Sequence, residues 1–126
     1  MINSDIKENY KYSIKAVIKL IRRYETITLD EITNAFKDVK KPQTFLTGFG
    51  KKSTCTICRA ININCRYCIL NFETNLKFSG CVFNKPLYAS YTKIKEANTP
   101  KKLHYAYNQR AIVLRDYLQQ FDIQID

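Results

Sequence analysis

The chemistry most easily read from this chain lies in its five cysteines. Four stand in TCTICRAININCRYCIL as Cys55, Cys58, Cys65 and Cys68, and Cys81 follows after twelve residues. The spacing is C-x2-C-x6-C-x2-C. Each C-x2-C pair can place two thiolates on one ion, because the turn between them directs backbone amides toward the sulfurs. Two such pairs complete the tetrahedral four-thiolate arrangement of structural zinc. The six-residue gap is shorter than in most zinc ribbons, so Cys81 is a possible substitute for one of the four ligands. The expected cofactor is therefore one Zn2+ held by four of the five thiols. An iron–sulfur cluster takes the same ligand count and stays open as an alternative. Disulfides, buried unbonded thiols, and a cysteine nucleophile paired with His104 are the other readings. His104 is the only histidine. It could ligate a metal with three cysteines, but its place near the start of a helix favours an ordinary, partly exposed side chain.

Positive charge surrounds the same segment. The net charge is +10, and residues 37 to 102 hold thirteen Lys and Arg against three acids, so the entire excess falls within that span. Concentrated positive charge favours polyanions such as nucleic acid. Lys51, Lys52, Arg59 and Arg66 flank the cysteines and are the expected anion or nucleic-acid contacts. Aromatic residues, among them Phe45, Phe49, Tyr67, Tyr88 and Tyr91, interleave with the basic ones. They could stack on bases or serve the core. No acid pair, HExxH, phosphate-binding loop or dinucleotide fingerprint occurs, so the expectation is a binding protein without catalytic residues.

The elements that must position these groups are mainly helical. Ser4 can cap a helix over SDIKENYKYSIKAVIKLIRRYE, whose apolar residues recur at steps of three and four. Lys7, Lys11, Lys15 and Lys19 repeat on another face, as on a core helix with one solvated side. Thr28 and Glu31 have capping-box spacing ahead of a second helix, which Pro42 should end near Lys40. Asp30, Glu31 and Asp38 on that helix argue against a DNA-reading helix-turn-helix, since phosphates would repel them. FLTGFG and CILNFE read as short strands of a hairpin. LYASYTKIKEAN has helical spacing, and Thr99 with Pro100 opens a final helix. Its stripe of Leu103, Ala106, Tyr107, Ala111, Leu114, Leu118 and Phe121 should pack on the first two helices.

The expected fold is thus mainly α, with about four helices, a central Cys-rich, zinc-knuckle-like insert and room for one short β-hairpin. The 126 residues suit a single domain. Its parts are a helical pair over 4–40, a basic cysteine-rich metal module over 42–86, and C-terminal helices over 87–122. No apolar run is long enough to span a bilayer, and the first residues lack a signal-peptide pattern, so a reducing cytoplasm is expected.

CTICRAININCRYCILNFE and the later GCVFNKPLYASYTKI resemble a group of small uncharacterised proteins of bacteriophages and mobile elements. That group combines two C-x2-C pairs, a third cysteine region and a closing helix. In this chain Ile69 follows Cys68 where proline is common in the group. The resemblance implies a metal-stabilised accessory protein, in the host cytoplasm if viral. It supplies no activity, and the charge and the cysteines leave two functions as expectations. The first is a zinc-stabilised basic protein that binds nucleic acid. The alternative is an interaction protein that inhibits a host defence factor or binds an anionic nucleotide signal.

Overall fold

A computed structural model describes residues 3–50, 59–61, 68–70 and 85–125. These residues form six helices: α1 Asn3–Asn9, α2 Lys11–Thr26, α3 Leu29–Asp38, α4 Pro42–Thr47, α5 Lys85–Glu96 and α6 Pro100–Gln119. The expected architecture is corrected on three points. There are six helices where about four were expected, and no strand among the described residues. No group of three or more His, Cys, Asp or Glu among the described residues could hold a metal ion. The zinc-knuckle-like insert is therefore not part of the described fold. Cys55, Cys58, Cys65 and Cys81 lie outside the described residues.

The two extra helices have local causes. The first amphipathic stretch divides at Tyr10, whose φ of −113° and ψ of 18° leave the helical range. Ser13 Oγ donates to the Tyr10 carbonyl at 3.1 Å, a back-bond of the kind that bends helices. Ser4 accordingly lies inside α1, away from the N-cap position of the longer helix. Helix α3 stops at Asp38, where Val39 turns extended, and Pro42 begins a further helix, because its fixed φ and missing N–H suit the first helical position. FLTGFG is then the end of α4: Gly48 takes φ 73° and donates its N–H to Thr44 O at 2.7 Å. Only glycine adopts that left-handed cap without steric cost. Of the other expected strand, CILNFE, only Cys68, Ile69 and Leu70 are described, with Ile69 and Leu70 in a 3₁₀ turn.

Capping sets the remaining boundaries. Thr28 Oγ1 accepts from Glu31 N at 3.1 Å, and Glu31 Oε1 accepts from Thr28 N at 3.2 Å, forming both halves of a capping box. Thr99 Oγ1 accepts from Lys102 N at 3.2 Å, with Pro100 first in α6.

The core lies between α2, α3, α5 and α6. Val17, Ile21, Ile32, Leu87, Ile94, Leu103, Leu114 and Leu118 are all fully buried there. Tyr24 of α2 stacks on Tyr107 of α6 with ring centroids 5.1 Å apart. Helix α6 packs against α2, α3 and α5, so its apolar stripe meets three helices. Ile69 and Leu70 also enter this core, fully buried.

Candidate nucleic-acid interface

The sequence-derived candidates divide sharply. Lys51, Lys52, Arg66, Cys55, Cys58, Cys65 and Cys81 lie outside the described residues. Arg59 is exposed, as phosphate contact requires. Cys68 is half-buried and adjoins a firmly held peptide unit. Ile69 N donates to Ser13 Oγ at 2.8 Å, while Tyr117 Oη donates to Ile69 O at 2.7 Å. Burial, with the Cys68 side chain nearby as a smaller cause, raises the Tyr10 phenol above its ordinary pKa. His104 is half-buried on α6.

Two lysine-bearing junctions that the sequence reading did not single out meet in the structure. Gln43 Nε2 donates to Ala97 O at 2.9 Å, and Tyr107 Oη donates to Gln43 O at 3.4 Å. These two bonds bring the α3–α4 junction against the α5–α6 junction. Lys40 and Lys41 come from the first junction; Lys95, Lys101 and Lys102 come from the second, and all five are exposed. Asp38 and Glu96 share those junctions, leaving lysine in excess by three. None of the five lysines has a carboxylate partner within ion-pair distance among the described residues. Lys102 Nζ instead donates to Asn98 Oδ1 at 3.3 Å. Tyr105 stands one helical turn from Lys101, on the same face of α6, and is 64 % exposed. A lysine cluster beside an exposed ring suits a phosphate backbone with a base stacked alongside.

Lys7, Lys11, Lys15 and Lys19 are also exposed, along the outer face of α1 and α2. Lys11 pairs with Glu8 at 3.2 Å and lies 5.4 Å from the Tyr12 ring centroid. Among the interleaved aromatics, Phe45 and Tyr88 are exposed, whereas Phe49 packs on Tyr91 at 4.6 Å. Sequence spacing treated these rings alike; burial separates them.

A cavity of about 450 Å³ lies between α3 and α4, lined by Arg23, Glu31, Asn34, Asp38 and Phe45 among others. Arg23 in that lining donates to Glu31 Oε2 at 3.2 Å and Leu46 O at 3.5 Å. The Thr28 backbone N–H, followed by Arg23, holds the Glu31 carboxyl below its ordinary pKa. That carboxylate is engaged in capping and ion pairing.

No helix among the described residues is long and apolar enough to cross a membrane. Comparison with protein-family models, curated proteins and solved structures finds no match.

Proposed function

We propose that this chain is a small basic protein that binds nucleic acid, contacting phosphates through the lysines at the α3–α4 and α5–α6 junctions. The observation that supports the reading is the Gln43–Ala97 bond, which joins two lysine-bearing junctions from distant parts of the chain. Tyr105 offers a stacking face beside them, and exposed Arg59 adds a guanidinium from the cysteine segment. Base stacking tolerates any sequence, so the favoured ligand is a single strand. Zinc bound by four of the five thiolates belongs to the same reading and rests on the cysteine spacing alone.

The test is fluorescence anisotropy with a labelled single-stranded oligonucleotide across 50–200 mM salt, the range in which phosphate contacts weaken steeply. Affinity should fall linearly on logarithmic axes. Replacing Lys101 and Lys102 by Glu should lower affinity and reduce that slope by about 2, roughly one unit for each lost phosphate contact. Tyr105→Ala should weaken binding with little change in slope. An absence of binding at 50 mM salt overturns the proposal.

A further inference from the structure

Arg110 is the most unusual polar group in the described core. It sits midway along α6 and is only 4 % exposed. Its Nη1 donates to Leu87 O at 2.6 Å and to Ser90 Oγ at 2.8 Å, in the first two turns of α5. Ser90 Oγ in turn donates to Leu87 O at 3.0 Å, closing a triangle that fixes one end of the guanidinium. The opposite edge is different. Nε is sealed from solvent without a hydrogen-bond partner, the only such buried side-chain atom among the described residues. No described group bonds Nη2, and no described carboxylate pairs with the guanidinium.

That free edge has a definite chemistry. Nε–H and one Nη2–H point in parallel and match the two oxygens of a carboxylate or phosphate, the strongest geometry a guanidinium offers. The surroundings add to the demand for an anion. The start of α5 carries the positive end of its helix dipole, and Leu87, which Arg110 Nη1 bonds, lies in that first turn. The only acid on α5 is Glu96 at its far end, and the nearest on α6 is Asp116, which is exposed. An uncompensated buried charge is strongly unfavourable. We infer that the Nε–Nη2 edge of Arg110, at the start of α5, is a binding site for a single oxyanion group, phosphate or carboxylate, of a small ligand. This site is separate from the lysine surface, and its failure would leave the nucleic-acid reading untouched.

The probes are inorganic phosphate and acetate, with chloride at matched ionic strength as the control. In the full chain, phosphate or acetate should raise Tm by several degrees beyond chloride, in a saturable way. The Arg110 Nε–H resonance should shift along the same titration. Whichever probe acts at the lower concentration identifies the oxyanion class. Arg110→Lys keeps the charge and removes the fork, so it should abolish the response. If that variant fails to fold, the Nε–H resonance of the unaltered chain still decides. A resonance unmoved by both anions overturns the inference, as does an equal Tm rise in a folded Arg110→Lys protein.

Discussion

Ser13 and Ile69, fifty-six residues apart, share a buried hydrogen bond of 2.8 Å from the Ile69 N–H to the Ser13 hydroxyl. Tyr117 completes the arrangement by donating to the carbonyl of the same residue at 2.7 Å. Both polar groups of Ile69 are thereby satisfied by side chains, one from α2 and one from α6. Cys68 is held beside this unit, so one thiol of the cysteine segment has its backbone position set by the helical core.

Ser13→Ala should destabilise the protein by about 2 kcal/mol, since it strands a buried N–H as well as removing a bond. Tyr117→Phe should cost about 1 kcal/mol. Because both act on one peptide unit, the double variant should cost less than the sum of the two. Urea unfolding of the four proteins measures this coupling, and strict additivity would contradict the shared clamp.

Arg115 grips Glu25 with two bonds of 2.6 and 2.8 Å, and this hydrogen bonding holds the glutamate below its ordinary pKa. A carboxyl with a depressed folded pKa contributes stability above its unfolded value, about 4.3, and loses it as pH falls through the folded value. Glu25→Gln should therefore cost about 0.5–1 kcal/mol at pH 7 and almost nothing at strongly acidic pH. Thermal unfolding of both proteins from pH 7 down to pH 2 would show the two curves converging.

Burial pushes the Tyr107 phenol up to about 12. A raised pKa means the folded protein keeps a proton that the unfolded chain releases near 10. Stability should consequently decline between about pH 10 and 12. In a rapid spectrophotometric titration one of the nine tyrosines should ionise after most of the others, and Tyr107→Phe should remove that late step.

Thiolate-bound zinc should appear as one equivalent per chain by elemental analysis, with no visible colour. A strong chelator should release it and lower Tm, because ligands assembled only in the folded state couple metal affinity to folding. Iron with visible absorption would replace zinc by a cluster, and a metal-free chain of unchanged Tm would remove the cofactor.

Local signals in the sequence translated well into structure. The Thr28–Glu31 box, the Thr99–Pro100 start and the buried stripe from Leu103 to Phe121 each depend on residues within a few turns. The misread elements depended on competition between bonds. At Tyr10 the apolar spacing continues in phase, so nothing in the pattern reveals that Ser13 turns back on the Tyr10 carbonyl. FLTGFG has aromatic residues and a threonine that suit a strand, yet Pro42 and Gly48 bracket a short helix that takes in its first three residues. The candidate interface was legible only as composition. Its lysines were counted within the basic span, but their meeting requires the Gln43–Ala97 contact across fifty-four residues. The Lys101–Tyr105 spacing was a local hint of a ring beside charge, on a ring not among the interleaved aromatics named from the sequence. Arg110 gave no hint at all, since burial of an arginine is decided by packing.

The break at Tyr10 has a consequence for how the molecule opens. Helix α1 is seven residues long, too short to persist alone, and Ile6 is its buried apolar anchor. Detaching it exposes that side chain and leaves the contacts of α2 with α6 in place. The N-terminal segment can therefore open as its own small unit, at a free energy well below that of global unfolding. Its amides should exchange with solvent early, while those of Val17 to Tyr24 wait for the whole core.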